Sequence, residues 1–123
     1  MNHRILVVDD HPVNRKLATM LLGGAGYQIE EAASGEEALA MLATGRFDSV
    51  LLDVSMPGLS GGEVCARIRA DAHLRTLRVV AYTAHAFEDE CNKILAAGFD
   101  ALVTKPVSKS RLLAAVDPQA AAA

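Results

Sequence analysis

Apolar and polar positions follow two periods along this chain, one of about two residues and one of about 3.6. Four consecutive apolar residues in RILVV (4–8) predict a strand covered on both faces. Pro12 suits the first position of a helix, and Val13, Leu17, Met20 and Leu21 recur as the face expected to enter the core. GGAGY (23–27) ends that helix. YQIEEA (27–32) alternates like a half-exposed edge strand. SGEEALAMLATG (34–45) opens with Ser34 and, three residues on, Glu37, the pattern of a capping box. Ala38, Leu39 and Leu42 give its buried face. FDSVLLD (47–53) is a second fully buried strand, MPGLSGG (56–62) a turn-rich loop, and Val64 and Ile68 mark the third helix. LRVVAYT (77–83) is a fourth strand. Phe87, Cys91, Ile94 and Leu95 repeat the helical face until Gly98 stops it. DALVTKP (100–106) is a short fifth strand, and SKSRLLAAV (108–116) is a last helix carrying Leu112, Leu113 and Val116.

Strand and helix thus alternate five times, which predicts an α/β fold with helices on both faces of a parallel sheet. Right-handed crossovers leave few topologies. The edge character of 27–32 and the apolar runs at 4–8 and 47–53 select the flavodoxin-like, doubly wound (βα)5 order 2-1-3-4-5. One domain over 1–117 accounts for the pattern, and the low-complexity residues 118–123 are expected to be a disordered tail.

Composition narrows the function classes. Half the chain is hydrophobic (51%) with no Trp, so the core is aliphatic. A net charge of −3, without a basic run, argues against nucleic-acid binding. No apolar stretch is long enough to be a membrane span or a signal peptide. Cys65 and Cys91 form no CxxC and read as buried thiols in a reducing, cytoplasmic setting.

The chemistry lies at the strand ends. The first strand ends in Asp9 and Asp10, the third in Asp53, the fourth in Thr83 and the fifth in Lys105. In this sheet order ligands bind beyond the carboxyl ends, where strand order reverses. Three adjacent carboxylates repel and call for a cation. Lys105 is one. An all-oxygen donor set selects a hard divalent ion as the other, Mg²⁺ or its substitute Mn²⁺. Such an ion beside a carboxylate, a lysine and a hydroxyl suits phosphoryl transfer. Asp53 stands alone at the end of the central strand and is the candidate nucleophile, while Asp9 and Asp10 are placed to hold the metal. Ser55, Gly58 and Ala84 leave room for a phosphoryl group, and Thr83 can donate to it.

Taken in order, Asp9-Asp10, DVSMPGLSG with Asp53, Met56, Pro57 and Gly61, YTA with Thr83 and Ala84, and the pair Lys105-Pro106 resemble a bacterial response-regulator receiver domain over nearly all of 3–116. The resemblance implies that Asp53 accepts a phosphoryl group from phosphohistidine on a histidine kinase or histidine phosphotransfer protein. It implies that Asp9, Asp10, Asp53 and the backbone carbonyl of Ser55 arrange Mg²⁺. Lys105 would pair with the phosphoryl group, with a cis bond before Pro106, and Thr83 would relay the change. The chain would catalyse only its own phosphorylation and dephosphorylation. It resembles single-domain regulators and the receivers of hybrid kinases. The resemblance also allows a homodimer through the fourth helix, fifth strand and fifth helix. The competing reading is a pseudo-receiver, an interaction module that works without phosphorylation, whose usual sign is loss of the acids or the lysine.

The family's switch aromatic, three positions before the lysine, is Leu102 here, and Tyr82 is expected to pack in the core on the face opposite Thr83. His11 and His85 read as exposed loop residues near the site, with His85 a candidate for tuning phosphate loss. His3 and His73 read as surface residues. Partner docking in the family uses the first helix and the loop after the fifth strand, which makes exposed Asn14, Arg15 and Lys16, beside Val107, contact candidates.

Overall fold

The computed structural model describes residues 3–54, 58, 60–83, 88–104 and 108–117, the side chains of 88–91 excepted. The elements run β1 (Arg4–Val8), α1 (Pro12–Gly23), β2 (Gln28–Ala32), α2 (Gly35–Thr44), β3 (Ser49–Asp53), α3 (Gly61–Ala70), β4 (Arg78–Thr83), α4 (Glu88–Ala96), β5 (Ala101–Thr104) and α5 (Lys109–Val116). The five strands form one parallel sheet in the order β2-β1-β3-β4-β5. β1, β3 and β4 are buried along nearly their whole length, and β2 is a half-exposed edge, as the pattern predicts.

Because side chains alternate across a strand, each strand feeds two cores. Leu6, Val8, Val50, Leu52, Val79 and Ala81 pack under α2 and α3, with Ala38, Leu42, Val64, Cys65 and Ile68. Ile5, Val7, Leu51, Val80, Tyr82 and Val103 pack under α1 and α5, with Ala18, Leu22, Leu112 and Val116. Cys65 is a fully buried thiol, as expected. No helix among the described residues is long and apolar enough to cross a membrane.

α1 departs from its expected orientation. Val13, Leu17 and Met20 are 71%, 42% and 67% exposed, whereas Ala18 and Leu22 are fully buried and Leu21 is half-buried. The small Ala18 lets the helix lie close to the sheet, and one residue along a helix is a rotation of about 100°. The larger apolar residues therefore turn outward. Leu95 on α4 is likewise exposed.

The helix starts also differ in detail. The Ser34 hydroxyl accepts from the Glu37 N–H, but the Glu37 carboxylate reaches the Ala33 N–H, so only half of that capping box forms. The complete box is at Ser60 and Glu63, the start of α3, where the same S-x-x-E spacing stands in the sequence. His3 is half-buried rather than at the surface: its Nε2 lies 3.1 Å from the Ser49 hydroxyl, which donates to the Val116 carbonyl at 2.7 Å. This ties the two ends of the domain together away from the acidic strand ends.

Candidate functional site

Asp9 directly follows β1, and its N–H continues the sheet ladder to the Ala32 carbonyl at 3.1 Å. The chain then turns into α1. The His11 N–H donates to Asp9 Oδ1 at 2.9 Å, and Pro12, needing no donor of its own, starts the helix. From one turn into α1, Arg15 donates to the Asp9 carbonyl at 2.8 Å and to Glu31 Oε1 at 2.9 Å. Lys16 reaches the same carboxylate at 3.3 Å. Burial pushes the Glu31 pKa up, but the hydrogen bonds and charges of Arg15 and Lys16 outweigh it and leave the group below its ordinary value. Of the expected contact candidates, Lys16 is exposed, while Asn14 and Arg15 are half-buried. Arg15 is drawn in because it braces the acidic turn.

Asp53 is the last residue of β3 and is 4% exposed; Asp9 is fully buried and Asp10 is exposed. One carboxylate oxygen from each lies within 4.8 Å of the others. The three acids, spread over 45 positions of sequence, thus meet where strand order reverses between β1 and β3. α3 comes up against the same point. A Cβ on Gly61 would lie 2.6 Å from the Asp53 carbonyl oxygen and 2.7 Å from the Val54 Cα, so only glycine allows that approach. Gly58, in the loop between, takes a positive φ of 73°.

Thr83 ends β4 and is 2% exposed. It stands one position beyond Tyr82, the register partner of Asp53. Leu102 pairs with Ala81 and packs, half-buried, on the α2–α3 side, the side that Thr83 shares by alternation. Tyr82 packs in the opposite core, as expected, and that core's face is also the face of Asp53. His11 is exposed, and its backbone N–H engages Asp9. The expected roles of Ser55, Ala84, His85, Lys105, Pro106 and Val107 fall on residues outside those described.

A family model for the response regulator receiver domain matches residues 5–117. The chain is 44% identical over 108 residues to the sensor histidine kinase RcsC of Salmonella typhi, a match covering 88% of this chain and 11% of that protein. It therefore spans a small fraction of that relative's length. It is 33% identical over 113 residues to the polar-differentiation response regulator DivK of Brucella ovis, with 92% of each chain covered. Among solved structures, the receiver domain of the sensor histidine kinase PA1611 from Pseudomonas aeruginosa, described with a magnesium ion coordinated in its active-site cleft, has a TM-score of 0.84. That match has 28% identity and covers 94% of this chain and 98% of the other.

Proposed function

The chain belongs to the response regulator receiver family of two-component and phosphorelay signalling, and we propose on that footing that it is a phosphoacceptor with Asp53 as the acceptor. The observation that carries this reading is the Asp9–Asp10–Asp53 group, three carboxylates gathered at one sheet edge. All three donors are hard oxygens with exposed Asp10 at the rim, which fits Mg²⁺. When bound, Mg²⁺ supplies positive charge against the carboxylates and the incoming phosphoryl oxygens. Asp9 and Asp10, with the carbonyl of Ser55, would hold it beside Asp53.

In the forward step an Asp53 carboxylate oxygen attacks phosphorus in line. The P–N bond to the donor histidine breaks, and the imidazole leaves with that electron pair. Lys105 pairs with the transferred oxygens, and Thr83 donates its hydroxyl to one of them. In a separate dephosphorylation step, water attacks phosphorus, the P–O bond to Asp53 breaks, and the Asp53 carboxylate is restored as inorganic phosphate departs. The chain turns over no separate metabolite in this cycle.

The donor is a histidine kinase or a histidine phosphotransfer protein. Its docking site is the exposed stripe of Val13, Leu17 and Met20, which with Pro12 and Lys16 lines a groove along α1. Exposed apolar residues rimmed by charge are the usual mark of a protein-binding surface. Asp53→Ala tests the reading: it should abolish uptake of a phosphoryl group from acetyl phosphate with Mg²⁺. Undiminished uptake would overturn the assignment.

A further inference from the structure

We propose that the cleft between α3 and α4 is a second ligand site, one that takes a small amphipathic carboxylate, with its apolar chain in the cleft and its anionic head on Lys93.

The cleft has a volume of about 330 Å³. Val54 after β3, Gly62 on α3, Lys93, Ile94 and Ala97 on α4, and Phe99 before β5 line it. Lys93 alone among them has a polar side chain, and Phe99, 6% exposed, lies deepest. Apolar walls with one placed polar group are the usual make-up of a small-molecule pocket, and the volume is at the small end of that class. At about 30 Å³ for a water-sized group, the cleft holds about ten non-hydrogen atoms. Beside Gly62 the space is open, since a Cβ built there meets nothing closer than 4.0 Å.

Lys93 sets the charge of the head group. It is exposed, and among the described residues it makes no hydrogen bond or ion pair. The other apolar groove with a lysine, on α1, differs on this point, because Lys16 is already paired with Glu31 at 3.3 Å. α3 also begins at the cleft, and a helix start favours negative charge. The carboxylate of its own first turn, Glu63, is drawn back to its cap, accepting from the Ser60 hydroxyl at 3.1 Å and the Ser60 N–H at 3.4 Å.

Asp9, Asp10 and Asp53 do not line the cleft, yet an occupant bears on the same stretch of backbone. Val54 directly follows Asp53, and α3 closes on both residues at Gly61. The binding proposal stands on this geometry whether or not Asp53 accepts a phosphoryl group.

The probe is octanoate, a linear carboxylate of about ten non-hydrogen atoms, titrated below its micelle concentration into the isotope-labelled chain. Amide NMR shifts should saturate and centre on Val54, Gly62, Ile94 and Phe99, with half-saturation at about 1 mM or below. Octylammonium, with the same chain and the opposite charge, should bind about tenfold more weakly. Lys93→Glu, a surface change that leaves the core intact, should reverse that order. Ala97→Leu, which fills the mouth of the cleft, should weaken both ligands. Equal binding of the two ligands, an order unchanged in Lys93→Glu, or octanoate affinity unchanged in Ala97→Leu would overturn the proposal. So would shifts that never saturate, or that centre on Val13, Leu17 and Met20 instead.

Discussion

The guanidinium of Arg15 donates to the main-chain carbonyl of Asp9 at 2.8 Å, so a residue of α1 holds the turn that presents the first carboxylate. Its other edge is fixed by Glu31 at 2.9 Å. Asp9 is thereby braced through its backbone by Arg15 and through its side chain by the His11 N–H.

Arg15→Ala should therefore weaken Mg²⁺ binding several-fold and cost about 1–2 kcal/mol of stability, since a partly buried charge-assisted bond is lost. Arg15→Lys should recover part of the stability and little of the Mg²⁺ affinity, because an ammonium cannot bridge Asp9 and Glu31 with a planar fork. Metal titration and denaturant unfolding of both variants check this.

Glu31 supplies a pH dependence of known sign. Its folded pKa lies below the unfolded one despite the opposing effect of burial, because Arg15 and Lys16 favour its charged form. Its contribution is complete above the unfolded value and is lost as pH falls through the folded value. Glu31→Gln should thus cost up to about 1 kcal/mol near neutrality, with the two stability curves converging on the acid side. Parallel curves down to the acid limit would contradict the sign.

Gly61 tests the packing of α3 on β3, the strand that ends in Asp53. Gly61→Ala puts a methyl into a gap of 2.6 Å at the Asp53 carbonyl. The expected cost is about 1–3 kcal/mol, as for overpacking elsewhere. Phosphorylation should slow as well, since the displaced backbone carries Asp53. Gly62→Ala, one residue along, meets nothing closer than 4.0 Å and serves as the control.

Substitution on the proposed docking stripe of α1 tests partner recognition apart from chemistry. Met20→Asp lies on a surface 67% exposed and should change stability by no more than about 0.5 kcal/mol. It should leave phosphorylation by acetyl phosphate unchanged. Transfer from a phosphorylated donor protein should fall about tenfold, the effect of losing one apolar anchor. Equal loss with both donors would place Met20 in the fold or the site instead.

The sheet order and the strand ends were legible because both depend on signals that a single sequence carries. Four apolar residues followed by Asp9 and Asp10, and another buried run followed by Asp53, mark where covered strands meet polar ends. The family resemblance rests on those same positions. The rotation of α1 was not legible. Periodicity ranks residues by hydrophobicity, and it gave Val13, Leu17 and Met20 the core, whereas packing distance favoured Ala18 with Leu22. The face of Tyr82 was predictable from alternation, but its pairing with Asp53 is a matter of the β3–β4 register. The Ser60–Glu63 box was present as a pattern, hidden in a glycine-rich loop that reads as a turn. The bracing of Asp9 by Arg15 depends on the angle of α1 to the sheet, which sequence does not state.

The central claim is that Asp53 takes a phosphoryl group in a metal-dependent reaction. Its most direct test is the intact mass of the chain after incubation with acetyl phosphate and Mg²⁺. The account predicts a gain of one phosphoryl group, absent with EDTA and absent in Asp53→Ala. No gain under any condition, or a gain that survives in Asp53→Ala, would contradict it.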